Sequence, residues 1–371
     1  MSAAPQLEVV SAGAYASLQD LGRRGFRRIG VPWAGVLDPR LMRIANALVH
    51  NAAGTPVIEC FDGGQQFAAR GGAVRLAVAG DAVLELERSG ERTVLSAWRS
   101  LTLADGEVLR LRGLAHSRVA VVALQGLSLP QVMGSASTYA RAALGGIDGR
   151  ALAAGMRLAA VAASGRAEQM LSAAARAAHA GSGPIRVVAG PQADHFSAAT
   201  RAAFTTAEYY VTANADRMGV RLDGPALAHE GASEIVSDAT VPGSIQVPGN
   251  GKPIVLLADA QTAGGYPKIA TVIGADLPRL ATARRGQALR FAFVDSAEGE
   301  RLARATEAGT LALLAALRPL LIGGVDEAAL YAGNLMSGFL DALGPEFRPD
   351  NPADDAAGAA ATALVQLREL N

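Results

Sequence analysis

Short apolar runs that recur roughly every ten residues between glycines constrain this chain more than any other feature. Ala73 to Val78, Val83 to Leu86, Ser100 to Leu103, Val108 to Leu111 and Val119 to Leu124 are each strand-length. Runs so short and so evenly punctuated favour a barrel or sandwich over alternating βαβ units. The 42 glycines in 371 residues suit a chain with many tight corners. One early segment departs from the pattern. In Pro39 to Val49, Leu41, Ile44, Ala45 and Leu48 fall at helical spacing, and Asp38 and Pro39 supply an N-cap and a first-turn proline.

Beyond residue 163 the texture changes. Ala162 to Gly183 is alanine-rich and closed at both ends by glycine and serine, which predicts a linker helix over about 164–183. Strand-like runs resume at Ile185 and continue to about residue 296. Ala297 to Leu317 and Asp326 to Leu343 then carry helical patterns, and Pro345 to Asp355 reads as loop, so residues 297–371 are expected to be a largely helical extension.

Lysine plus arginine equals aspartate plus glutamate, 34 each, so charge points to neither nucleic acid nor an anionic membrane. The single cysteine, Cys60, excludes an internal disulfide, suits a cytoplasmic setting, and reads as a small buried hydrophobe. The N-terminus has no basic residue before Arg23 and does not read as a signal peptide. The apolar stretch Leu311 to Leu317 is far short of the ~20 residues that span a bilayer. Phosphate-loop, HExxH, CxxC and GxSxG motifs are all missing, and the five histidines lie scattered, so no metal site is expected. Arg23, Arg24, Arg27 and Arg28 form a basic cluster able to meet an anion, although such clusters are commonly solvated or interfacial faces.

The chemistry concentrates between Gly243 and Ala275. Pro253 to Ala258 and Ile269 to Ile273 read as buried strands, and the loop between them carries Asp259, Gln261, Thr262, Gly264, Gly265, Tyr266 and Lys268. Two adjacent glycines let the backbone turn or let a ligand approach closely, and Pro267 stiffens the Tyr266–Lys268 unit beyond what a solvated hairpin turn requires. Together with Gln19, Asp20 and Arg23 near the N-terminus and Asp216 and Arg217 in the middle, these groups suit an uncharged polar substrate such as an amide, urea or lactam. Lys268 is the candidate to stabilise an oxyanion. Asp259 is the candidate base, its pKa tuned by burial or by Lys268, and Tyr266 and Gln261 are the other catalytic candidates. Thr262, Gly264, Gly265, Gln19, Asp20, Arg23, Asp216 and Arg217 are candidate substrate-binding residues, with a surface salt bridge as the alternative for Asp20 and Arg23 and a barrel-loop brace for Asp216 and Arg217.

The stretch QVPGNGKPIVLLADAQTAGGYPKIA resembles the signature of the 5-oxoprolinase C-subunit family, also called allophanate hydrolase subunit 2 or the biotin-dependent carboxyltransferase family. Ser17 to Arg23, Gly30 to Pro39, Arg43 to Val49, Val132 to Ser135, Gly190 to Gln192 and Asp216 to Gly219 follow the family in order, so the resemblance covers roughly residues 7 to 295. It departs where relatives carry Ser or Cys and this chain has Ala34, where they carry Thr and it has Ala263, and at Gln125 to Ser128. The resemblance implies a mainly β fold of two tandem cyclophilin-like β-barrel domains, over 1–163 and 184–296, with a helical C-terminal tail. It also implies an obligate subunit of an ATP-dependent complex that hydrolyses 5-oxoproline to glutamate beside a subunit-B-like partner (allophanate hydrolase subunit 1). ATP would be bound mainly by that partner. The alternatives it implies are a biotin-dependent carboxyltransferase acting on urea or a related amide, and a non-catalytic antagonist of a kinase-inhibitor protein. No biotin attachment sequence is present, so biotin would be carried by another chain.

Overall fold

The computed structural model describes residues 4–177 and 181–320. It is mostly β, with three large sheets. Two of them form the first half. One runs in spatial order Arg157–Ala159, Gln6–Ala12, Gln65–Arg70, Val108–Leu114, Ala82–Arg88, Glu91–Ser96. The other runs Tyr15–Gln19, Val57–Phe61, Val119–Leu124, Val74–Ala79, Arg99–Leu103, Gln169–Leu171, Leu317–Pro319. All pairings within both are antiparallel. The five runs predicted as strands are all strands, within a few residues of the expected ends.

The predicted helix forms as Pro39–Leu48, and Asp38 Oδ1 accepts the Arg40 N–H at 2.9 Å. Leu41, Ile44 and Leu48 join Leu18, Ile58, Leu76 and Val121 from one sheet and Leu7, Phe67 and Leu109 from the other in one core. The third sheet draws on residues 185–293: Ala288–Leu289, Tyr209–Val211, Gly219–Asp223, Ile254–Leu256, Ser244–Gln246, Lys268–Val272, Ile185–Ala189 and Phe291–Phe293. Only its last pairing is parallel. Its core is stacked on Phe204 and Phe291, 4.6 Å between centroids, and takes in Leu37, Phe61 and Val119 from the first half. Apolar packing is therefore continuous between the halves.

Two expectations need correction. The stretch predicted as a linker helix contains a strand, Gln169–Leu171, hydrogen-bonded into the second sheet, before a short helix, Ala173–Ala177. Alanine favours helix locally, but the open edge of Arg99–Leu103 offers ladder bonds and wins at 169–171. The helix Ser296–Ala315 forms as expected, capped by Asp295. It does not begin a separate tail: Arg43 pairs with Glu307 at 2.6 Å, and Leu317–Pro319 returns to pair with Gln169–Leu171. The helix expected at Asp326 to Leu343 and the loop at Pro345 to Asp355 lie outside the described residues.

One irregular segment, Gln19 to Leu37, connects the halves. It folds back on itself where Gly22 and Gly35 meet. A Cβ on Gly35 would stand 2.8 Å from the Gly22 nitrogen, and both glycines have positive φ, +84° and +88°. Asp20 pins the segment: Oδ1 accepts from the Gly22 N–H (2.8 Å) and from the Ser135 and Ser137 hydroxyls (2.6 Å each), and Oδ2 accepts from the Ala136 N–H (2.6 Å). Asp20→Ala strands four donors, three of them buried, and should destabilise the fold by about 3 kcal/mol, read as a shifted denaturant midpoint; a change under about 1 kcal/mol would show the loop is held otherwise. Cys60 is 1% exposed, and burial, reinforced by Glu59, pushes its thiol pKa well up. It should therefore resist thiol reagents in the native state and react fully only on unfolding, as a timed labelling assay would read.

Candidate active site

Between the halves lies a cleft of about 330 Å³, walled by Tyr15, Phe61 and Met218 and floored by Arg217 and Asp259. The volume suits a small ligand. Tyr15 meets Phe61 edge-on, 5.6 Å between centroids. Arg217 is 5% exposed and forks onto Asp259 through Nε (3.0 Å) and Nη2 (2.9 Å). Its Nη1 donates to Glu59 Oε1, and Nη2 also reaches the Gly35 carbonyl at 2.6 Å. Glu59 further accepts the Leu37 N–H at 2.7 Å. Burial opposes the charge on Arg217, yet Asp259 and Glu59 outweigh it and hold its pKa above the ordinary value. Burial likewise raises the Glu59 pKa against the pull of Arg217. The Tyr15 phenol is pushed up chiefly by burial, so it stays protonated and able to donate at neutral pH.

A second polar group of residues lies around the short ladder that pairs Asp238–Ala239 with Ala263–Gly264. Lys268 and Gln246 are partners across neighbouring strands at a register shift, the kind of bulge that re-aims side chains. Lys268 is 1% exposed. Its Nζ lies 2.9 Å from Asp238 Oδ2, and no second acceptor reaches the ammonium among the described residues, which leaves N–H donors free. Gln246 is 2% exposed. It accepts from Gln261 Nε2 through Oε1 (3.3 Å), while its own Nε2 has no partner. Gln192 donates to Asp238 at 3.0 Å. Gly264 has no room for a side chain, because a Cβ there would stand 2.3 Å from Gln246 Nε2.

The structure thus divides the residues singled out by sequence. Asp259 faces the cleft and pairs with Arg217; Lys268 pairs with Asp238, so the expected Asp259–Lys268 coupling is corrected. The two are close in sequence, but they leave the loop on different sides. Gln261 and Thr262 belong to the Lys268 side, where their carbonyls accept from Thr240 and, for Gln261, from Arg27. Gly265 accepts the Ile235 N–H, and the Tyr266 ring is 38% exposed. Gln19, wholly buried, holds the crossing segment: Oε1 accepts from Gly35 N–H (3.1 Å) and Nε2 donates to the Thr138 carbonyl (3.1 Å). Asp20 and Arg23 are buried rather than a surface salt bridge. Arg23 donates to the Ser137 carbonyl at 2.5 Å, and burial, against the pull of Asp20 and Asp259, lowers its pKa. Asp216 is exposed and caps its own turn by accepting from Met218 and Gly219 N–H.

Sequence reasoning missed Glu59, Tyr15, Asp238 and Gln246. An acid in the middle of the apolar strand Val57–Phe61 was the one signal that pointed to Glu59. A larger cavity, about 520 Å³ against the helix Ser296–Ala315, contains none of the predicted residues. Among the described residues no group of three or more His, Cys, Asp or Glu is placed to hold a metal ion, and no helix is long and apolar enough to cross a membrane.

The chain is 36% identical over 294 residues to the C subunit of 5-oxoprolinase from Escherichia coli, covering 77% of this chain and 90% of that one. It is 34% identical over 310 residues to the C subunit of 5-oxoprolinase from Haemophilus influenzae, covering 81% and 95%. In structure it resembles the K. lactis urea amidolyase with a TM-score of 0.75 at 23% identity, over 88% of this chain but 21% of that much longer one, a likeness of fold. Residues 29–293, which include Glu59, Arg217, Asp259 and the residues around Lys268, match the family described as carboxyltransferase domain, subdomain A and B, and the chain belongs to that family.

Proposed function

We propose that this chain is a subunit of a 5-oxoprolinase-type complex that opens a small cyclic amide at the expense of ATP. The carrying observation is the Lys268 ammonium: almost wholly buried, charge-balanced by Asp238, and still holding N–H donors with no acceptor. A desolvated donor of that kind is suited to a carbonyl oxygen that gains charge as its amide is attacked. Asp259, locked to Arg217, acts in this reading as the anchor that fixes the loop carrying Lys268, and Tyr15 offers a phenol O–H to ligand in the cleft. The two 5-oxoprolinase relatives, at 34–36% identity over nearly their whole length, support the reading. The sequence holds no glycine-rich phosphate loop, which supports assigning ATP mainly to a subunit-B-like partner, in a hetero-oligomer.

The family description favours a second reading, carboxyl transfer to urea or a related amide. The unpartnered donors of Lys268 and Gln246 fit the ureido carbonyl of biotin as well as a lactam. Biotin would supply the carboxyl group, carried by another chain, while Lys268 and Gln246 orient that carbonyl.

Glutamate formed from 5-oxoproline and ATP, with and without this chain beside its partner subunits, tests the first reading. Unchanged turnover without the chain would remove it. Lys268→Met, with an unchanged melting temperature as control, should lower turnover by roughly 100-fold or more, the scale of losing one oxyanion donor.

The Lys268 ammonium, with help from Gln192, holds the Asp238 carboxyl down to about 2. Its folded pKa lies below the ordinary value, so its contribution to stability is complete above the ordinary carboxylate range and fades as pH falls through about 2. A carboxyl-carbon NMR titration should show that low midpoint, moving up toward the ordinary carboxylate value in Lys268→Met while the Gln192 and Ala239 donors hold it below.

A further inference from the structure

The cavity of about 520 Å³ against the helix Ser296–Ala315 draws its lining from both halves and from that helix, and none of the residues around Lys268 reaches it. Its volume suits a small-molecule ligand. The apolar part of the lining comes from Leu41 and Val119 in the first half, Ala283 in the second, and Leu302 and Leu313 on the helix. The charged part is four arginines and three aspartates, which leaves one cation in excess.

Two of the arginines are neutralised locally. Arg40 pairs with Asp38 at 3.1 Å, and Arg186 pairs with Asp276 at 2.6 Å. Arg279 and Arg176 have no such partner among the described residues. Arg279 donates through Nη1 to the Ser182 carbonyl (2.6 Å) and through Nη2 to the Gly183 and Pro184 carbonyls (2.9 and 2.7 Å), all of them neutral acceptors. Burial lowers the Arg279 pKa; Asp276 opposes that, and the nearby Arg186 and Arg40 add to it. Arg176 makes no side-chain hydrogen bond among the described residues, although its Nε is shut off from solvent. A buried N–H without an acceptor is costly. Asp81, the remaining acid of the lining, forms an ion pair with neither arginine among the described residues.

We propose that this cavity binds a small organic anion, its one acidic group held by Arg279 and Arg176 and its apolar body seated against Leu41, Leu302 and Leu313. Both unsatisfied groups are donors, so the ligand must bring acceptor oxygens, and an excess of one positive charge fits a single carboxylate or sulfonate better than a polyphosphate. The apolar lining gives the rest of the molecule a place out of water. The site does not depend on the ring-opening reading. Because its lining joins both halves to the helix Ser296–Ala315, an occupant stabilises their packing by mass action.

The test uses anilinonaphthalene sulfonate and phenylnaphthylamine, two dyes that share an aromatic body and differ by the sulfonate, titrated by fluorescence into the full chain. Wild type should bind the sulfonated dye at one saturable site, about 10-fold or more tightly than the neutral dye, the scale of a hydrogen bond to a charged group. Arg176→Met should remove most of that preference by weakening the sulfonated dye alone, and Arg279→Met should act in the same direction. Arg279→Met also gives up the bonds to the carbonyls of residues 182–184, so Arg176→Met, which has no partner to lose, is the deciding charge variant. Leu302→Trp fills the cavity and should weaken both dyes, with melting temperatures confirming that each variant is folded. Equal binding of the two dyes by wild type overturns the site, and so does binding of the sulfonated dye that is unchanged in both Arg176→Met and Leu302→Trp.

Discussion

Arg217 ties the two halves of this molecule together. Its guanidinium reaches Asp259 in its own half and Glu59 and the Gly35 carbonyl in the other, and all of these are shielded from water. Taking three charges out of water is expensive, and their mutual attraction offsets that cost only with good geometry. Removing any one member would leave the others buried and uncompensated, a loss of about 3–5 kcal/mol for a typical buried pair. Such a network is weak evidence for net stability, but it fixes orientation, because few arrangements of the two halves satisfy all its partners at once.

That orientation positions the loop from Ala258 to Lys268. Asp259 N–H donates to the Arg217 carbonyl, and the Ala34 N–H donates to the Ala258 carbonyl at 3.0 Å, so the loop is stitched to the crossing segment on one side and to its own half on the other. The crossing segment is itself held by Asp20 and Gln19. Several residues first read as substrate contacts therefore act one step removed. They hold the backbone that carries Lys268, and unpartnered donors on Gln246 and Arg27 lie around the same loop.

The parts of the fold that local physics controls were legible in the sequence. Strand runs such as Val119–Leu124 and the capped helix Pro39–Leu48 follow from spacing and capping alone. Gln169–Leu171 was not legible, because its strand depends on a free sheet edge rather than on its own composition. The site was half legible for the same reason. The loop was visible as a concentration of polar groups, but which acid would meet which base depended on distant chain: Arg217 with Glu59, and Lys268 with Asp238 across a ladder. Gln246 reads as one more polar residue in a short strand until the pairing with Lys268 buries it.

Ala34 and Ala263, the departures from the pattern the sequence resembles, gain a physical interpretation from these contacts. Ala34 is 5% exposed and sits at φ +53°, a left-handed conformation that costs a non-glycine residue roughly 1–2 kcal/mol. What its position contributes is the N–H that reaches Ala258, a group every residue but proline supplies. Ala263 contributes its backbone to the ladder with Ala239 and turns an exposed side chain outward. In both places the work of aligning the loop is done by the main chain. Losing a hydroxyl or thiol there leaves the framework around Lys268 intact, and the donors of Lys268, Gln246 and Arg27 depend on neither side chain.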